Sequence, residues 1–209
     1  MRGFNMKKIF KSLIVAVASL LISSTAFAKD FDWSECWCNY GAGLKEGDII
    51  LNLGTSISYT HFESGFSSDS WNLPIVDFSL ETPVKIGPCP FTFGGGFSWN
   101  NNGLKNNYDW GTIKTVYNVF DTYGVVKYHF MFPPKQLDLY AGTKAGISFS
   151  SARVVKSPEN GNEESSINFG TGFYFNEFAG ATWYFNKGFG VNAEIGFPVI
   201  TSIGVTFKF

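Results

Sequence analysis

Charge is scarce in this chain of 209 residues: Asp, Glu, Lys and Arg together make 16%, against about a quarter in ordinary soluble domains. A surface so poor in charge has little to offer water. Basic residues show no excess over acidic ones (16 against 17), which excludes nucleic acid as a partner, since that needs a basic footprint. Histidine occurs twice and cysteine three times. No G-x-S-x-G, H-E-x-x-H, P-loop or dinucleotide fingerprint is present, and Gly94-Gly95-Gly96 reads as a strand interior. No cofactor is expected. Beyond residue 28 no apolar run reaches eighteen residues, so the chain lacks a sequence able to cross a bilayer as a helix.

The first residues have the grammar of an export signal. Met6-Lys7-Lys8 supplies a basic start, Leu13 to Ile22 an apolar stretch too short to span, and Ala26-Phe27-Ala28 a small-x-small cleavage pattern. Residues 1–28 are therefore expected to be a cleaved signal peptide, 29–46 an N-terminal periplasmic segment and 47–209 a single domain. The leader holds Arg2, Lys7, Lys8 and Lys11, which leaves 12 basic residues against 17 acidic ones in the mature chain.

What the chain has in quantity is aromatic residues, 18%, and glycine, 23 residues. Exported, aromatic and charge-poor, with no spanning helix, such a chain has one membrane solution left. Backbone groups in lipid must pair internally, so the strands must close into a barrel. The strand pattern agrees. Ile49, Leu51, Leu53, Thr55, Ile57 and Tyr59 alternate with Asn52, Gly54, Ser56 and Ser58, with Ile50 the exception. Eight segments of this kind are expected, near 47–61, 72–85, 90–100, 112–131, 136–151, 166–185, 189–197 and 200–209. The fourth and sixth change parity partway, which points to a bulge or bend in each. The fold class is all-β, an eight-stranded antiparallel transmembrane β-barrel.

Short connectors at 85–90, 132–135 and 186–188 alternate with long polar ones at 61–71, 100–111 and 152–165, as periplasmic turns alternate with extracellular loops. Trp71, Trp99 and Trp110 fall beside the long connectors. Phe130, Phe132, Trp183, Tyr184 and Phe185 fall beside the short ones, giving two aromatic girdles. A soluble lipocalin-like barrel would turn its apolar face inward. The polar face here is mostly Gly, Ser, Thr and Asn, too weakly charged for a solvated exterior.

The segment from Phe178 through Trp183 and Gly188 to Gly196 resembles the last hairpin of small outer-membrane barrels, and Ile203 to Phe209 resembles their closing strand. The chain is similar in this to the OmpX/OmpW/opacity-protein class. The resemblance implies an address in the outer membrane, contact with its lipids, and an assembly signal in Val205, Phe207 and Phe209 read by the outer-membrane assembly machinery. It says little about activity.

Asp77, Glu81, Lys127, Asp138, Lys144, Glu194 and Lys208 carry lumenal parity. An eight-stranded interior is just wide enough for side chains to fill, and buried charge must pair, so a packed polar core is expected. His129 is expected in the lumen or at the periplasmic rim. Cys36, Cys38 and Cys89 would all be periplasmic, where disulfides persist. A bond from Cys36 or Cys38 to Cys89 would tie the N-terminal segment to the barrel rim. A Cys-x-Cys metal site is the alternative, short of further ligands.

Three functional readings follow. The first is a structural or adhesin-like surface protein with an extracellular ligand at the long connectors, where Phe62, Phe66, Trp71 and Tyr108 would be exposed. The second is a narrow porin-like conduit, which the resemblance to OmpW-like barrels directs toward small hydrophobic molecules. The third is a lipid-modifying barrel enzyme, for which the resemblance implies a His near a Ser, here His61 with Ser58 and Ser64.

Overall fold

The computed structural model describes residues 37–58, 70–132, 134–159 and 161–209. Its strands are β1 (Ile50–Ser58), β2 (Ser70–Asn72), β3 (Ile75–Ile86), β4 (Cys89–Tyr108), β5 (Gly111–Met131), β6 (Leu137–Pro158), β7 (Glu164–Tyr184), β8 (Phe189–Phe197) and β9 (Val199–Lys208). Each pairs antiparallel with its neighbours, and the β4–β5 and β1–β9 ladders complete a closed ring.

Nine elements make an eight-membered ring because β2 and β3 lie end to end on one edge of β4. Pro74 has no N–H to give the ladder and interrupts that strand. The Leu73 N–H, donating to Asn101 O at 3.0 Å, carries the pairing across the break. At the seam, Ile49 and Phe209 exchange both backbone hydrogen bonds, at 3.0 and 2.9 Å. Closure leaves no edge within the ring, the condition for strands in lipid.

The alternation places side chains as a membrane demands. Leu53, Val76, Phe97, Ile147, Ile195 and Ile203 are exposed on the outer surface, while Ser79, Thr92, Ser98, Asn176 and Thr206 are buried in the lumen. Ile50, the exception in the first strand, is 4% exposed and packs with Leu44 and Tyr184 to floor the barrel. Phe120 and Phe130 lie ten residues apart on the outer face of β5. At about 3.4 Å per residue and a tilt of about 40°, they bracket an apolar band about 25 Å tall.

Two expectations fail here. The connectors 100–111 and 152–165 are not loops. β4 and β5 pair up to Tyr108↔Gly111, and β6 and β7 up to Lys156↔Glu164. Since β5 and β6 also pair to Gly111↔Pro158, the four strands stand clear of the band as one sheet. Trp110, at the tip of the β4–β5 hairpin and stacked on Tyr108 at 5.3 Å, therefore belongs to no girdle. Nor is there a bulge in β5 or β7: their ladders with β4 and β6 run without a shift. The parity appeared to change because Tyr123, Val125, Tyr174 and Phe178 are large and apolar yet face the lumen, forming a cluster with Tyr140 inside it.

The segment before β1 folds under the ring. The Tyr40 hydroxyl donates to Phe91 O at 2.9 Å, Tyr128 donates to Trp37 O, and the Trp37 ring meets Phe130 edge-on at 5.1 Å. Partial burial, with the charge of Glu46 adding to it, raises the Tyr40 hydroxyl above its ordinary pKa, so it stays a donor. Cys38 and Cys89 are both free thiols, so the expected tie between them is not made. Hydrogen bonds and packing hold the segment instead. Cys36 lies outside the described residues. Among the described residues no group of His, Cys, Asp and Glu is arranged to hold a metal.

Candidate functional site

Two regions carry chemistry: the filled lumen, and the sheet standing above it. In the lumen, β3, β5, β6 and β8 each send charged side chains to the axis. Lys127 Nζ lies 2.9 Å from Glu81 and 3.5 Å from Glu194, and Lys144 Nζ lies 3.1 Å from Asp77 and 3.8 Å from Glu194. Glu194 thus joins two ion pairs into one network. Neutral donors complete it. Asn52, Ser79 and Thr92 give hydrogen bonds to Glu81, Tyr140 to Glu194 and Tyr123 to Asp77. Aromatic faces supply what the carboxylates leave open: Lys127 lies 4.6 Å from the Tyr140 centroid, and Lys144 5.1 Å from that of Tyr123. Buried charge is tolerated only when paired and hydrogen-bonded. Among the described residues, Thr143 Oγ1 is the one buried side-chain polar atom without a partner.

Of the expected lumenal residues, Asp77, Glu81, Lys127, Lys144 and Glu194 meet in this network, and Asp138 lies below it with His129 at 2.9 Å. Lys208 does not join them. Its Nζ sits at the mouth of the barrel beside the N-terminal segment, 3.5 Å from Ala42 O and 3.3 Å from Gly43 O, over the Tyr184 ring. Asp121, which accepts a bond from Ser98 at 2.8 Å, was not foreseen, although it shares the parity of Lys127 on β5. Tyr140 shares the parity of Asp138 and Lys144 on β6, whereas Tyr123 was legible only as a break in the alternation.

Thr92, His129 and Asp138 form a hydroxyl–imidazole–carboxylate row, with contacts of 3.0 and 2.9 Å. That order is the one a nucleophile, base and orienting acid adopt. Here the Thr92 hydroxyl already donates its single proton to Glu81 at 3.1 Å, and all three side chains are buried. The row is a hydrogen-bonded floor. His61 and Ser64 lie outside the described residues. The gap beside Asp77, Lys144, Tyr174 and Glu194 leaves about 10 Å³ for water, close to the minimum for a single molecule and far below a solute path.

The sheet above the band is wet on both faces. Residues 164–173 of β7 are all exposed. On one side β7 pairs with β6 along its whole length, but with β8 it pairs only from Glu177↔Phe197 downward. Among the described residues, the stretch from Glu164 to Asn176 is therefore an open edge, and Phe169 and Phe173 along it are 83% and 76% exposed.

A closed ring of eight antiparallel strands, apolar outside and ion-paired inside, defines the small outer-membrane type of β-barrel. No family model matches the chain, and no curated protein does. Two solved structures are similar in architecture. Ail, the attachment invasion locus protein of Yersinia pestis, solved with the heparin analogue sucrose octasulfate, is 14% identical, with 79% of this chain and 100% of that one covered at a TM-score of 0.42. The N-terminal β-barrel domain of Pseudomonas aeruginosa OprF is 14% identical, with 78% and 98% covered at a TM-score of 0.36.

Proposed function

We propose that this is a surface protein of the outer membrane whose barrel is a closed anchor and whose working part is the protruding sheet, held out to an extracellular ligand. The observation that carries the reading is the open edge of β7. Natural sheets cover, shorten or charge their edges to prevent unwanted pairing. This edge is long, and Ile167, Phe169 and Phe173 stand exposed along it. A partner that adds a strand there gains main-chain hydrogen bonds and the apolar contacts together. The filled lumen supports the same reading against a conduit, and the signal-like leader, with the long hairpins on the side opposite the N-terminal segment, supports an outer-membrane address with that segment in the periplasm. The test is adherence of expressing cells to immobilised host-matrix protein. Ile167→Lys with Phe169→Lys blunts the edge with charge and is expected to reduce adherence to the level of cells lacking the protein, at equal surface abundance. Unchanged adherence would overturn the proposal.

A further inference from the structure

We infer that Lys105, Lys114 and Arg153 form a seat for phosphate groups on the saccharide headgroups of outer-leaflet lipids. The inference needs only that the sheet leaves the bilayer on the outer side; it does not need the β7 edge to bind anything.

Because β4, β5 and β6 leave the membrane without a register shift, the face that meets lipid below continues as one face of the sheet above. On it, above the belt row Trp99, Phe120 and Phe149, Lys105 stands directly opposite Lys114, and Arg153 is one step diagonal from Lys114 through Val116. All three are exposed. The same face of the four strands carries no acidic residue between the belt and the hairpin tips. The opposite face is different, since its one cation, Lys156, stands directly across from Glu164. Like charges directly opposite on an antiparallel pair destabilise it. Among the described residues no carboxylate lies within 4.0 Å of any of the three. At the β6–β7 tip Glu163 accepts a bond from Ser157 at 2.8 Å, which leaves the three cations without an ion pair among the described residues.

One of the cations is held in place. The Trp71 indole donates to Asn101 Oδ1 at 3.0 Å and lies flat over Gly103, where a Cβ would come within 2.0 Å of the ring. Lys114 Nζ in turn sits 5.1 Å from the Trp71 centroid. Glycine seats the indole, and the indole steadies the ammonium.

Height selects the anion. Arg153 is four residues above Phe149, and Lys114 six above Phe120. With the strand rise and tilt of a small barrel, that is about 10 and 15 Å above the belt. The polar zone of a simple phospholipid leaflet is only about 6 Å deep. The three cations stand too high for glycerophosphate and at the level of a phosphorylated sugar headgroup.

The probe is lipopolysaccharide, offered to the refolded mature chain in dodecylmaltoside, with lipid retained per protein measured after gel filtration. The wild-type chain is expected to retain it. Lys105→Gln, Lys114→Gln and Arg153→Gln combined should weaken retention about tenfold, the sum of three exposed charge contacts of modest strength. Enzymatically dephosphorylated lipopolysaccharide should behave with the wild type as intact lipid does with the triple variant. Lys156→Gln, on the other face, should retain lipid normally, and the edge variant Phe169→Ser, which adds no charge to the face of Arg153, should do the same, which separates this site from the adhesive edge. A heat-modifiable electrophoretic shift reports that each variant is folded. Equal retention by the triple variant, or no effect of dephosphorylation, would overturn the inference. So would binding of soluble heparin through these residues with no retention of lipid, which would make the site one for soluble polyanions.

Discussion

The lower and upper halves of β4 to β7 are the same strands in two solvents. Below the belt, one face is in lipid and the other in a closed lumen, so each position has a single admissible chemistry. Lys127 and Lys144 are there surrounded by Glu81, Asp77 and Glu194. Above the belt both faces are wet, and Lys105 can stand opposite Lys114 with no carboxylate among the described residues paired to either. The backbone ladder is continuous through both. Solvent decides what a charge costs, and therefore where an unpaired charge carries information about a partner.

The largest effect expected from breaking this contrast is at Lys127. Lys127→Met removes the ammonium from Glu81 and Glu194 and leaves buried carboxylates uncompensated, a change that costs about 3–5 kcal/mol. Lys156→Met in the wet sheet should stay within about 0.5 kcal/mol of wild type. Urea unfolding of the refolded chain in lipid vesicles measures both. Adding Glu81→Gln to Lys127→Met should restore part of the loss, because the two positions share one network. Equal losses at Lys127 and Lys156 would dissolve the distinction between the halves.

A finer test locates the boundary on one strand. Ile147 and Ser151 share the outer face of β6, four residues apart on either side of Phe149. Ile147→Arg puts a cation into hydrocarbon and should cost about 2–4 kcal/mol, whereas Ser151→Arg, at or above the interface, should cost about 1 kcal/mol or less. If the two were equally costly, the membrane band would extend higher than Phe149.

The same contrast explains what could be read from sequence. Lipid imposes period-2 alternation, so the outer faces carrying Leu53, Val76, Phe97, Ile147 and Ile203 were legible, and with them the ring of eight. The upper parts of β4 and β6 were not. Asn100, Asn101, Asn102, Asn106 and Asn107, and Ser150 and Ser151, have no apolar face to reveal a strand, so composition alone made them loops. Inside the barrel, the charges of the central network were found by parity, while Tyr123, Val125 and Phe178 disguised themselves as lipid-facing and mimicked a bulge. The basic seat needed register, since nothing in the sequence puts Lys105 beside Lys114.

The smallest effect is expected beneath the ring, where the N-terminal segment closes the mouth of the barrel. It was expected to be pinned through cysteine, yet Cys38 and Cys89 are free and the segment is ordered by other means. Tyr40 reaches Phe91 O, Leu44 packs with Ile50 and Tyr184, and Lys208 meets Ala42 O and Gly43 O. Each is modest. Tyr40→Phe removes one hydrogen bond from an acceptor that water can also reach, and should cost about 1 kcal/mol. Cys38→Ser with Cys89→Ser removes no bond and should change stability by less than about 0.5 kcal/mol. Limited proteolysis reads the two separately, since local opening of a segment precedes unfolding of the barrel. Cleavage between residues 37 and 48 should quicken in Tyr40→Phe and remain at the wild-type rate in the double serine variant, with or without reductant. Faster cleavage of the serine variant under oxidising conditions would show that a thiol does hold the segment, and would return the closure of the mouth to covalent chemistry.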